Sequence, residues 1–161
     1  MKKQIIILLV FLSLIISCEK NKVQAKKTKT TIEKKDINET KEKIDPLTNN
    51  WLKNIELDMG NKWKANNETT TGVNNMLSLV LESNPKTIEN YRELAKKLNE
   101  EKNTLVKKCT MKGPSHDNLH VFLHPLIEKI DALLKVNSLD EASKLKQIIK
   151  ENLEAYQNYF Y

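Results

Sequence analysis

The chain has 161 residues, 30% of them charged, and carries a formal charge of +6. Arg92 is the only arginine, so the positive charge is almost all lysine, and Lys alternates with Glu through much of the chain. Nucleic-acid readers bring arginine forks and stacking aromatics to one basic face, whereas mixed Lys and Glu mark a solvated surface, so nucleic acid is excluded as a partner.

The chain opens "MKKQIIILLVFLSLIISC". Lys2 and Lys3 precede an almost wholly apolar run over residues 4–17. That run has the length of a signal-peptide core and falls short of the roughly 20 residues a spanning helix needs. Ile15-Ile16-Ser17-Cys18 resembles the lipobox of bacterial lipoproteins. The resemblance implies that residues 1–17 are a signal peptide removed ahead of Cys18. It also implies that Cys18 is lipidated on sulfur and that the chain is held at a membrane of the cell envelope, on the periplasmic face or the cell surface. The Glu19-Lys20 pair resembles surface-export signals of some Bacteroidetes lipoproteins. Loss of Lys2 and Lys3 reduces the side-chain charge to about +4. The envelope is oxidising, and with Cys18 lipidated Cys109 has no partner on its own chain. Burial, pairing with another chain and ligation of a soft metal are the roles open to it.

Residues 18–45 contain no aromatic and few aliphatic side chains. Such a stretch cannot bury enough surface to offset its ordering entropy, and it is predicted to be a flexible linker. A folded domain is predicted over 46–161, long enough for one core. Its first segment, "PLTNNWLKNIELDMGNKWKAN", allows two readings. One is a short helix with Trp51, Leu52, Ile55 and Met59 on one face. The other is an extended strand with Ile55, Leu57 and Met59 inward. Asn66 or Asn67 is suited to cap the next helix.

Four amphipathic helices come next. Val73, Met76, Leu77, Val80 and Leu81 share a face over 67–83, and Asn84-Pro85 ends that helix. Residues 86–108 carry Ile88, Tyr91, Leu94, Ala95, Leu98, Leu105 and Val106 at helical spacing. Gly113-Pro114 breaks the chain, Ser115 is placed to cap a third helix running to about 136, and Pro125 is a candidate kink. Ser138 to Glu141 matches a capping box, and the last helix carries Leu145, Ile149, Leu153, Tyr156 and Phe160. Short links force sequential neighbours to run antiparallel. The predicted fold is therefore an all-α antiparallel four-helix bundle.

The link "CTMKGPSHDNLHVFLH" gathers Cys109, Met111 and all three histidines. At about 100° per residue, His116, His120 and His124 form a slowly drifting stripe beside the apolar face. His116 and His120 lie one turn apart, close enough to reach one ion, with His124 a further turn on. A thiolate, a thioether and imidazoles suit copper, and Cys with His suits zinc. Cys109, Met111, His116, His120 and His124 are thus the candidate metal ligands, with Asp117 or Asn118 available to orient an imidazole. The same residues also fit a structural loop that closes the bundle, or a redox-active thiol.

No CxxCH, second CxxC, glycine-rich phosphate loop or GxSxG elbow is present, and no Glu stands three residues before a histidine. With no complete catalytic constellation, an enzyme is not expected. Tyr159 and Tyr161, at the end of "AYQNYFY", have no evident core role and are candidates for contact with a protein partner. The segments "GNKWKANNETTTGVNNM" and "CTMKGPSHDNLHVFLHPL" resemble segments of small helical Bacteroidetes proteins of unassigned activity. That resemblance implies that both belong to one module.

Overall fold

The computed structural model describes residues 45–161. The signal segment 1–17, Cys18 and the linker as far as residue 44 lie outside the described residues. The protein is an all-α four-helix bundle built from α1 (Asn67–Glu82), α2 (Ile88–Lys108), α3 (Pro114–Lys135) and α4 (Leu139–Tyr159). Each helix packs on its sequence neighbour and α4 closes back on α1, with α2 and α4 meeting more lightly across the bundle. No helix among the described residues is long and apolar enough to cross a membrane.

The helix boundaries reflect local chemistry, though not always at the expected residue. At the start of α2 the Thr87 side chain accepts a 3.2 Å hydrogen bond from the Asn90 backbone N–H and satisfies an otherwise orphaned donor. α3 begins two residues earlier than a Ser115 cap predicts. Gly113 is its N-cap, at φ 63° and ψ −152°, a conformation essentially confined to glycine, and Pro114 comes next in the first turn. Ser115 lies inside the helix instead of capping it, and its hydroxyl donates to the Lys112 carbonyl at 3.2 Å. Ser138 does take the N-cap position of α4, but its side chain makes no capping bond, so the expected capping box does not form. Pro125 is buried within α3, which continues past it as one helix.

The core is drawn from one stripe of each helix, including Val73, Met76 and Val80 of α1 and Leu94, Ala95 and Leu98 of α2. Opposite them stand Leu126, Ile130 and Leu133 of α3 and Leu145, Ile149 and Leu153 of α4. Burial of each of the larger of these side chains contributes about 1.5–3 kcal/mol relative to exposure. Gly72 permits the closest helix contact, because a Cβ there would stand 2.9 Å from Leu105 Cβ. Leu81 and Val106, expected on the core faces of α1 and α2, are exposed.

The segment before α1 holds a short helical turn, as one sequence reading expected, without the inward Met59 that both assumed. It forms one 3-10 turn at Asn50–Lys53 and then a two-residue reversal in which Asp58 and Asn61 exchange backbone hydrogen bonds, each of 2.9 Å. Trp51 and Ile55 are buried as expected, but Met59 is 93% exposed at the tip of the reversal, and Leu52 and Leu57 also face solvent. Tertiary partners decide this conformation. Trp51 meets Phe122 edge-on at 5.5 Å and Tyr159 at 6.2 Å. The Glu56 N–H donates to Asn118 Oδ1 at 2.9 Å.

The chain end is tied to the same segment. Trp63 N–H donates to the Tyr159 carbonyl at 2.7 Å, Tyr161 N–H to the Trp63 carbonyl at 3.0 Å, and Ala65 N–H to the Tyr161 carbonyl at 2.9 Å. Tyr159 therefore does have a core role, packed against the buried cluster beside Trp51, whereas the Tyr161 side chain is exposed.

Candidate metal-binding face

α3 places its three histidines on successive turns, as the i, i+4 spacing requires. The His116 and His120 ring centroids lie 4.3 Å apart with planes tilted by 56°. Those of His120 and His124 lie 5.1 Å apart and are nearly parallel, at 25°. His120 and His124 are exposed and His116 is half-buried, so the row runs along the rim between the apolar stripe and solvent.

Crowding sets the protonation of the central ring. Partial burial first, then the charges of His116 and His124, push the His120 pKa below the usual imidazole value, with Asp117 acting in the opposite direction. The neutral form, which offers a nitrogen lone pair to a metal, is thereby favoured. Asn118 is not free to orient an imidazole. Its Oδ1 accepts from Glu56 N–H and its Nδ2 donates to the Pro114 carbonyl at 3.1 Å.

The two sulfur residues of the predicted cluster are placed by their packing. Cys109 and Met111 are half-buried and pack against the hydrophobic core at the end of the bundle. Burial raises the Tyr156 phenol pKa, the hydrogen bond with Thr70 opposes that rise, and the neighbouring Cys109 adds a lesser push upward. The Tyr156 hydroxyl itself meets Thr70 Oγ1 at 3.0 Å. Among the described residues no group of three or more His, Cys, Asp or Glu side chains is positioned to hold a metal ion. What the structure brings together is a pair of imidazoles, His116 and His120, with a third ring stacked beyond them.

Two polar features escape a reading of the sequence. Lys129 of α3 and Asn152 of α4 are fully buried and bonded to each other, Lys129 Nζ donating to Asn152 Oδ1 at 2.6 Å. A signal for both exists, because Lys129 falls on the stripe of Leu126, Ile130 and Leu133, and Asn152 lies beside Leu153 at helical spacing from Ile149 and Tyr156. The second is a lysine-lined pocket between the α1–α2 connection and α4. Its residues are about sixty positions apart in sequence, and no local pattern reveals it. No family model, curated protein or solved structure matches the chain.

Proposed function

We propose that this is a lipid-anchored, non-enzymatic helical bundle of the bacterial cell envelope whose imidazole row on α3 captures a borderline transition-metal ion, zinc or copper. The observation that supports this reading is the 4.3 Å separation of the His116 and His120 rings. Metal–nitrogen bonds of about 2.0–2.1 Å let one ion bridge two rings so spaced. Imidazole suits both zinc and copper, and two protein ligands leave the remaining coordination positions to water or to an exchanging partner. Such a site favours capture and release over permanent structural retention. His124 is placed to stabilise the occupied pair or to accept the ion in turn. Cys109 and Met111, packed at the bundle end, serve the fold in this reading.

Titration of the metal-free full chain with Zn(II) or Cu(II), monitored calorimetrically, tests the site. One bound ion is expected, with affinity reduced at least about tenfold when either His116→Asn or His120→Asn removes a ligand. Undiminished binding in both variants, or no binding at all, contradicts the proposal. The anchor rests on the lipobox resemblance and is tested separately. Cys18→Ala is expected to abolish palmitate incorporation and release the protein from the membrane fraction.

A further inference from the structure

A pocket of about 280 Å³ opens where the connection from α1 to α2 passes over α4. Ser143, Lys146, Gln147 and Lys150 line it from one face of α4, Lys86 from the connection, and Tyr91, only 8% exposed, from the first turn of α2. Three of its lining side chains are lysines and none is acidic.

The neutralising contacts nearby are incomplete. Lys150 Nζ reaches Glu154 at 2.9 Å, outside the pocket lining. Lys146 Nζ donates to the neutral Ser83 carbonyl at 2.8 Å. Partial burial, and then the charge of Lys86, disfavour protonation of Lys146, so the two ammonium groups lie near enough to repel. The N-terminus of α2 begins two residues beyond Lys86 and adds its positive dipole end to the same region. Like charges held together at a concave polar surface create a potential that an anion relieves.

We propose that this pocket binds a phosphate-class oxyanion. Lysine ammonium groups and the Ser143 hydroxyl supply several hydrogen-bond donors, matching the several acceptor oxygens of a phosphate group, and Gln147, whose amide donates to Glu151 Oε1 at 2.9 Å, keeps a second N–H. Lysines bind phosphate as point charges without the planar fork of arginine, in keeping with a chain that has one arginine. The ligand chemistry is shared by two sources, a free phosphate and the phosphodiester headgroup of an anionic phospholipid. This site lies apart from the histidine row and stands independently of it.

The test titrates the full chain, in about 0.15 M salt to suppress diffuse attraction, with inorganic phosphate in one arm. Glycerophosphoglycerol, the water-soluble headgroup of phosphatidylglycerol, is used in the other. Saturable binding is expected in at least one arm, weakened about tenfold by Lys86→Gln or Lys146→Gln, as loss of a charged hydrogen bond implies. Lys144→Gln is expected to leave it unchanged, since that lysine is exposed and paired with Asp140 at 2.6 Å. Tighter binding of phosphate identifies a free solute, and tighter binding of the diester identifies the lipid headgroup. Absence of binding in both arms overturns the proposal. So does binding that survives both pocket substitutions, which would reflect the general lysine surface. Lys86 is exposed, so its variant keeps the test valid should Lys146→Gln disturb the fold.

Discussion

Lys129 on α3 donates a 2.6 Å hydrogen bond to the side-chain oxygen of Asn152 on α4, and neither residue has measurable solvent exposure. The amide nitrogen of Asn152 is itself buried without a partner. The pair is thus an under-satisfied polar contact inside an otherwise apolar bundle. Removing one partner strands the other, whereas replacing both with apolar groups removes the desolvation cost entirely. Asn152→Leu alone is expected to destabilise the fold by about 3 kcal/mol, while Lys129→Met with Asn152→Leu stabilises it by about 1–4 kcal/mol. Urea unfolding of the single and double variants checks this non-additivity.

The same lysine makes stability depend on pH. Burial lowers its pKa from 10.5 to about 8. Between those values the unfolded chain carries a proton that the folded chain has released, so stability rises with pH across that window. From about pH 7.5 to 9.5 the gain is expected to be about 2 kcal/mol, and Lys129→Met is expected to remove most of it. Lys146, shifted downward as well, contributes in the same direction. Tyr156, whose pKa burial raises, opposes the trend only above about pH 10. Denaturant midpoints at the two pH values, for parent and variant, measure the slope.

Gly72 is expected to be intolerant of alanine despite lying mid-helix. The added Cβ would meet Leu105 Cβ at 2.9 Å. Helix propensity favours the substitution by about 1 kcal/mol, but overpacking costs about 1–3 kcal/mol, and steric conflict between two packed helices should win. A lowered thermal midpoint for Gly72→Ala checks the attribution, and a raised one would show that helix propensity wins instead.

Met59 presents the converse case. It adopts φ 50°, and Gly60 after it adopts φ 89°, the pattern of a tight hairpin turn that favours Asn-Gly. A methionine there incurs backbone strain with no packing in return, since it is 93% exposed. Met59→Asn is expected to stabilise the protein by about 1 kcal/mol, measured as a raised urea midpoint.

The four helices are legible in the sequence because their information is local. Periodic apolar residues, Asn84-Pro85 and Gly113-Pro114 mark the helices and breaks without reference to anything distant. The segment from 50 to 65 is not, because its conformation depends on Phe122, Asn118 and the chain end, all remote in sequence. The core role of Tyr159 is hidden for the same reason, its partner Trp51 lying over a hundred residues away. Of the site, the histidine row is a consequence of helical geometry. The packing of Cys109 and Met111 against the core depends instead on how the 109–113 link folds, which residue spacing does not encode.

Whether one ion is shared between two rings on α3 is read most directly from the imidazole side-chain NMR resonances during Zn(II) addition to the full chain. Resonances of His116 and His120 are expected to shift together and saturate at one equivalent. Independent shifts at separate midpoints, or no change at either ring, would contradict a shared metal site.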